Sequence, residues 1–453
     1  MKRINISAFF YTVCLILLVA GKLSAQNPFN KYIYAADPSA HVWKNDTTTL
    51  WLYTSHDVPG TNHHATMFDY HVFSTKDLVN WTDHGRVLSV DDVDWATDYA
   101  WAIDAVNRHG KYYLIFCMHE TKTGMFRTGV AVSDVPHGPF TNIGFIEGVE
   151  WGQDPCVYVD DDNRAYLYWG AGGSCYAAEL NDNLLSIKPE SKRNLTKELF
   201  EVFEGPWVHK YNGKYYLSYP ALPGNKWPEQ MYYAVADKPL GPYSYKGNYI
   251  PYFEGQAGTN HGSIVKFKGQ WLAFHHSMII SEGKSEQRSL MADFLFYNPD
   301  GTIKPIVPNP LGISGGKTGK SIIHLEAENG LPAGGKLVGT QVETSMPGFS
   351  GKGFVTGFDI RQDYAEVLVQ VAKDMTANLK IRLSAEADFP ADILVGPFML
   401  AGWNGLPIKK TNGWEEVDLG TIPLKAGDNK IRFTCHKNPN VKVDYFLITP
   451  DFQ

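Results

Sequence analysis

The chain carries 453 residues, with 41 Lys and Arg against 48 Asp and Glu and a net charge of -7. No long basic run is available for a phosphate backbone or an anionic membrane, which argues against nucleic acid as a partner. The length exceeds one ordinary core, although a propeller holds about 250 to 300 residues as a single unit, so two domains are expected.

The first 25 residues read as a secretory signal: Lys2 and Arg3, an apolar run from Ala8 to Ala20, then Leu23-Ser24-Ala25 as a small-residue cleavage site before Gln26. The run is short for a bilayer span, and no later stretch is long enough for one. The expectation is a secreted or periplasmic protein whose mature chain does not insert into a membrane. Cys14 lies inside the apolar run without the context of a lipidation site.

From 27 to 310 nearly every segment is a short strand pattern closed by Gly, Pro, Asn or Asp, which predicts an all-β unit. Five times an isolated acid or histidine precedes a turn and an aromatic strand. The units are Ala36-Asp37-Pro38 before Leu50-Trp51-Leu52-Tyr53, Ile103-Asp104-Ala105 before Lys111-Tyr112-Tyr113-Leu114, Gln153-Asp154-Pro155 before Ala165-Tyr166-Leu167-Tyr168, Phe203-Glu204-Gly205 before Lys214-Tyr215-Tyr216-Leu217, and Asn260-His261-Gly262 before Gln270-Trp271-Leu272. A repeat of roughly 50 residues in a strand-rich chain is the mark of a β-propeller, here with five blades. If each polar residue opens the inner strand of its blade, five such groups face one axis. Asp161-Asp162-Asn163, Asn212-Gly213 and Lys268-Gly269 read as hairpin tips, so the Asp160 to Asp162 run is a solvated turn rather than a metal site.

Residues 311–321, with Gly312, Ser314, Gly315 and Gly316, are of the composition that links domains. Residues 322–453 then form a second strand-rich unit, expected to be a jelly-roll-like β-sandwich with its own core. Cys117, Cys156, Cys175 and Cys435 are widely spaced without paired metal spacing; buried thiols are the default, with a Cys156–Cys175 disulfide left open.

Three of the five axial groups are carboxylates: Asp37, Asp154 and Glu204. Cleaving a glycosidic bond takes one protonated carboxyl to supply a proton to the leaving oxygen and one ionised carboxylate to activate water. A third acid nearby raises the proton affinity of the first. A lone Asp before Pro is usually a turn, but three acids in register across a repeat are much harder to explain that way. Trp101, Trp151 and Trp207 lie near these motifs and are candidates for stacking on sugar or for filling space between blades. His63, His64, Asp69 and His71 match no trusted metal spacing and read better as a loop lining the pocket.

The motifs Ala36-Asp37-Pro38-Ser39, Trp101-Ala102-Ile103-Asp104-Ala105, Gln153-Asp154-Pro155-Cys156, Phe203-Glu204-Gly205-Pro206-Trp207 and Asn260-His261-Gly262-Ser263 resemble, in order, the blade motifs of glycoside hydrolase family 43. The resemblance implies a five-bladed propeller and an inverting glycosidase acting on arabinose- and xylose-containing polysaccharides. It assigns Asp37 as general base, Asp154 as the residue that tunes and orients the acid, and Glu204 as general acid. It places His261 in the central channel, beside a hydrated calcium ion or in structural hydrogen bonding, and Arg288 on the sugar near an acid. Asp104, where Ile103 replaces the family's Pro, is a substrate or structural contact, and Trp101 and Trp207 join the substrate-binding candidates. No cofactor is needed for the chemistry.

The second unit resembles carbohydrate-binding module family 6 through Glu326-Ala327-Glu328, Ser350-Gly351-Lys352-Gly353-Phe354-Val355, Gly413-Trp414 and Val443-Asp444-Tyr445. That resemblance implies a structural calcium held by Glu326, Glu328 and Asp444. The leading expectation is a β-xylosidase or α-L-arabinofuranosidase acting on plant cell-wall oligo- or polysaccharide. An endo-acting arabinanase or xylanase of the same family, a non-catalytic propeller lectin and a cell-surface adhesin are the alternatives.

Overall fold

The computed structural model describes residues 27–315, 317–435 and 440–451; the expected secretion signal lies outside them. Blade I is a four-stranded antiparallel sheet of Ala35–Trp43, Asp46–His56, Asp69–Thr75 and Trp81–Ser89. Blade II contains Ile103–Arg108, Lys111–His119, Phe126–Ser133 and Thr141–Phe145, and blade III Cys156–Val159, Ala165–Trp169, Tyr176–Glu179 and Arg193–Asn194. Blade IV is built from Trp207–Tyr211, Lys214–Ala221, Gln230–Ala236 and Ser244–Ile250. Blade V has three strands, Ser263–Phe267, Gln270–Ser277 and Ser289–Leu295. The first strand of each blade is innermost, and the aromatic second strand lies behind it.

Local chemistry sets the hairpins between these two strands. Asn212 and Gly213 have φ of 48° and 75°, and Lys268 and Gly269 have 48° and 84°, the double left-handed turn whose twist matches the flanking strands. The ring closes without its own fourth strand in blade V. Instead the amino-terminal segment returns to it: Phe29 N donates to Leu290 O at 3.2 Å, Ala292 N to Asn27 Oδ1 at 3.0 Å and Ala35 N to Arg288 O at 3.0 Å.

The second unit is a sandwich. One face joins Met375–Ser384, Glu415–Leu424, Ser321–Glu326 and Lys442–Pro450; the other is the five-stranded sheet of Lys336–Val338, Tyr364–Val371, Gly427–Cys435, Phe389–Gly396 and Ala401–Ile408. The two domains share a sheet, because Ser321–Glu326 pairs in parallel with the outer strand of blade I, Ser321 opposite Trp81 and Ile323 opposite Asp83. Their apolar cores are also continuous, running from Phe29, Trp81 and Phe274 to Ile323, Val369 and Phe446.

The connecting segment is accordingly packed rather than loose. Gly312, Ile313 and Ser314 are buried in a short 3-10 turn, and a Cβ on Gly319 would lie 1.7 Å from Val79 O, so only glycine fits that crossing. The segment's Gly312–Ser314 turn and Gly319 pack on the propeller, while Leu311, Gly315, Lys317, Thr318 and Lys320 are exposed. Cys117, Cys156, Cys175 and Cys435 are buried, and no disulfide joins them. Among the described residues no helix is long and apolar enough to cross a membrane.

A polar cluster is enclosed where the sandwich meets blade I. Gln370 of the sandwich donates to Asp69 Oδ2 at 3.0 Å and accepts at 2.6 Å from His71, while His56 lies 2.8 Å from the other Asp69 oxygen. His71 also faces Asp83, which accepts from Tyr32 OH at 2.8 Å. His56, Asp69 and His71 have metal-ligating atoms near one another, but hydrogen bonds already engage them. They form a seam between domains, whereas His63 and His64 lie apart, in and before a 3-10 turn. Replacing Gln370 by Leu leaves Asp69 and His71 buried without their partner, and a loss of about 2 to 4 kcal/mol is expected in denaturant unfolding. An unchanged unfolding midpoint would remove this seam from the account of domain docking.

Candidate active site

The inner strands run away from one mouth of the channel, and the chemistry sits where they begin. Asp37 and Asp154 occupy left-handed backbone, φ 53° and 49°, each followed by a proline that has no N–H for a ladder. Strand pairing in blade I skips from Ala36 to Ser39, so Asp37 is carried on a bulge that turns its carboxylate into the channel. Gly205, φ 56°, gives the turn after Glu204; a Cβ there would press on Pro220 and lie 3.2 Å from the His261 ring. These are local strains of the kind concentrated at working sites.

All five blades wall a cavity of about 90 Å³, lined by Asp37, His64 and Met67, Trp101 and Ala102, Gln153 and Asp154, Glu204, and Thr259, His261 and Arg288. Arg288 Nη1 donates to Asp37 Oδ1 at 2.9 Å, while its Nε and Nη2 fork onto Asp57 at 2.9 Å each. Ser55 Oγ donates to Asp37 Oδ2 at 2.5 Å. The Asp37 backbone N–H donates to His276 Nδ1 at 3.2 Å, so His276 carries its proton on Nε2, facing Thr259 O at 2.9 Å.

The carboxyls differ in charge state for identifiable reasons. Burial alone would push the Asp37 carboxyl up, but Arg288, the neighbouring histidines and the Ser55 hydroxyl hold it well below the ordinary range, so it is ionised. Glu204 is pushed well above its ordinary value by burial, then by the charges of Glu229 and Asp37. Asp154 is raised too, by burial and by Glu204, although Gly205 N donates to it at 3.2 Å. Burial lowers His261, and lowers His276 to about 3, leaving both imidazoles neutral.

The structure brings together Asp37, Asp154, Glu204, Trp101, His261 and Arg288. Asp104, read from the sequence as a substrate or structural contact, and Trp207 do not line this cavity. Asp104 lies within its strand ladder, opposite Ile115, rather than on a bulge before it. Its carboxylate accepts from Ser39 Oγ at 2.7 Å, Ala105 N at 2.7 Å and Val157 N at 2.5 Å, and meets His41 Nε2 at 2.7 Å, tying blades I, II and III together. Trp207 opens its inner strand opposite Ser218, its indole N–H on Ile264 O at 3.2 Å and its ring against His41. Trp151 is exposed beside Phe126, outside the cavity. Ser55, Asp57, Thr259, His276 and Glu229 escaped sequence reasoning, because none carries a repeat motif.

In the sandwich, Glu326, Glu328 and Asp444 converge on the Ser350–Lys352 turn. Ser350 Oγ donates to Glu326 at 2.5 Å, Ser350 N to Asp444 at 2.9 Å and Lys352 N to Glu328 at 2.7 Å, and Arg382 pairs with Asp444. Glu328 Oε2 is buried without a partner, and burial with the charge of Glu326 pushes that carboxyl up to about 8.

One ionised and one protonated carboxyl facing the same cavity of a propeller define a glycosidase-type site. A family model for Glycosyl hydrolases family 43 matches residues 25–303. The chain is 37% identical to xylosidase/arabinosidase 43A of Humicola insolens over 61% of this chain and 98% of that protein. A family 43 β-xylosidase/α-arabinofuranosidase from a compost microbial metagenome, solved with xylotriose in a calcium-free form, is 34% identical. It covers 62% of this chain and 96% of its own, with a TM-score of 0.56. An arabinoxylan arabinofuranohydrolase from Bacillus subtilis matches 95% of this chain and 99% of its own at 23% identity and a TM-score of 0.57, a likeness of fold. The chain belongs to glycosyl hydrolases family 43 and is a glycosidase that hydrolyses O-glycosyl bonds.

Arg288→Met tests the charge arrangement. Without the guanidinium, burial dominates at Asp37, whose proton affinity rises, and the acid limb of kcat/KM moves to higher pH. Because the folded-state pKa of Asp37 is depressed, its stabilising contribution is present above the unfolded value of about 4 and is lost on acidification. The variant lacks that contribution and leaves Asp57 unpaired, an expected loss of about 3 to 5 kcal/mol in denaturant unfolding at pH 7. A wild-type pH profile in a folded variant would refute the assignment.

Proposed function

We propose that Glu204 is the general acid, Asp37 the general base and Asp154 the residue that orients and tunes Glu204 in an inverting hydrolysis. The observation that carries this reading is that Asp37 and Glu204 line one cavity, Asp37 bonded by the Arg288 guanidinium and Ser55 and Glu204 without a cation among the described residues. Glu204 gives its proton to the departing glycosidic oxygen as that bond breaks. Asp37 takes a proton from the water that attacks the opposite face of the anomeric carbon. Arg288 keeps Asp37 ionised, Trp101 packs on an apolar sugar face, and the neutral His261 ring faces the cavity.

The substrate in this reading is a terminal β-xylosyl or α-L-arabinofuranosyl unit of plant hemicellulose. The names of the similar proteins support that class, and a small cavity walled by all five blades supports removal of end units rather than internal cutting. Residues 1–25 support export.

Calcium belongs in this reading as a structural ion of the sandwich. The donors of Glu326, Glu328 and Asp444 are all oxygens, and one buried Glu328 oxygen has no other partner, which fits a hard cation. Beside His261 the fit is poor, since the nearby Asp37 oxygens are taken by Arg288 and Ser55. No step of the reaction is routed through an ion.

Glu204→Gln should reduce turnover of unactivated xylo- or arabino-oligosaccharides by at least about 100-fold while leaving the unfolding midpoint unchanged. An aryl pentoside with a good leaving group loses far less. Wild-type rates on the unactivated substrate would overturn the acid assignment, and retention of anomeric configuration in proton NMR of the first product would overturn inversion. Added calcium should raise the thermal midpoint of the metal-stripped protein, and Glu328→Gln should cancel that rise. An unmoved midpoint argues against a sandwich ion.

A further inference from the structure

The channel has a second mouth, at the far ends of the inner strands. There all five blades wall another cavity, of about 510 Å³, within the range of pockets that hold small ligands. It shares no lining residue with the catalytic cavity. Between the two lies a layer of side chains bonded from blade to blade. Asp104 meets His41 Nε2 and accepts from Val157 N, while the Trp207 indole N–H is held by Ile264 O and its ring lies against His41. The two mouths are therefore separate sites.

The walls of the far cavity carry one sign of charge. Lys44, Arg108, Lys210 and Lys266 line it and no Asp or Glu does, although the chain as a whole has a net charge of -7. Arg108 is neutralised by Asp182, and Lys210 by Asp160 and Asp161 at 2.8 Å each. Lys44 and Lys266 are exposed and form no ion pair among the described residues. They stand on adjoining blades. Lys44 follows the strand Ala35–Trp43 of blade I, and Lys266 lies in the strand Ser263–Phe267 of blade V, two strands joined where Ala40 N donates to Ser263 Oγ at 3.0 Å. Trp271 sits directly opposite Lys266 in the sheet of blade V, so indole and ammonium share one face of it. The Trp271 ring is half-buried and fixed edge-on against Tyr211 and Tyr297, a rigid platform beside a free cation.

We propose that this far mouth binds a uronic acid, with the sugar carboxylate on Lys44 and Lys266 and the apolar face of the ring on Trp271. An aromatic platform by itself suits any sugar. Unpaired ammonium groups with no carboxylate beside them select one that carries a negative charge, through charge-assisted hydrogen bonds. A bare inorganic anion would use the lysines and leave the indole without a role. The site does not depend on which carboxyl is acid and which is base at the other mouth. It gives the enzyme a hold on an acidic sugar at the end of the channel opposite the site of cleavage.

Calorimetric titration of the full chain with sodium glucuronate tests this, beside xylose, which is the same ring without the carboxylate, and inorganic phosphate. Glucuronate should bind, less tightly as salt is raised, and excess xylose should not displace it. Lys44→Met combined with Lys266→Met should weaken glucuronate by at least about 10-fold, and Lys266→Arg alone should retain it. Because both lysines are exposed and remote from the catalytic cavity, these variants should keep the wild-type unfolding midpoint and rate on oligosaccharides. Absence of glucuronate binding, unchanged affinity in the double Met variant, or displacement by xylose overturns the proposal. Phosphate binding as tightly as glucuronate overturns it as well, since the site would then read charge alone.

Discussion

The Arg288 guanidinium, buried between Asp37 and Asp57, is the interaction on which the rest depends. Arg288 enters from blade V and both carboxylates from blade I, so the ion pair spans the seam where the propeller closes. Its backbone takes part as well, with its N–H on Asp57 and its carbonyl receiving Ala35 N–H. An arginine can do this because its planar fork meets Asp57 through two nitrogens and still reaches Asp37 with the third, which a lysine ammonium cannot reproduce. Closure of the ring and ionisation of Asp37 thus have one cause. A buried carboxylate of low proton affinity is affordable only where its counter-charge is fixed by the fold itself.

That constraint explains the asymmetry of the site. Five blades present similar turns to one axis, yet among the described residues only Asp37 of the three cavity acids is given an arginine or lysine. Asp154 and Glu204 share the same enclosure without one, and burial together with mutual repulsion raises both. The histidines do not offset this, because burial keeps them neutral. A nearly symmetric scaffold acquires one carboxylate of low proton affinity and two carboxyls of raised proton affinity through the placement of a single guanidinium.

Much of this was legible in the chain. The repeat, the hairpin tips and the three acids depend on short-range chemistry, an Asp before Pro or an Asn-Gly turn, and such chemistry is written locally. Asp104 and Trp207 show the limit of that legibility. Asp104 lies inside the pairing of its strand and Trp207 opens its own, whereas Asp154 and Glu204 precede the inner strands of their blades, so the first two turn between blades instead of into the cavity. Ser55, Asp57 and Glu229 lie beyond the limit altogether. Their meaning comes from partners about 20 to 230 residues away, and no local pattern encodes a contact of that range.

The sandwich departs furthest from a reading by composition. A Gly-rich segment between two strand-rich units suggests independent bodies on a tether, but here Gly319 is the residue that lets the backbones cross in contact. The strand that follows extends the sheet of blade I, and Gln370 completes a buried polar cluster beside it. His56 of that cluster lies in the same strand as Ser55, which bonds Asp37, and is followed directly by Asp57, which holds Arg288. The strand that holds Ser55 against Asp37 is thus packed on one side by the channel and on the other by the sandwich. Gln370 and the shared sheet thus place the sandwich in direct packing contact with blade I.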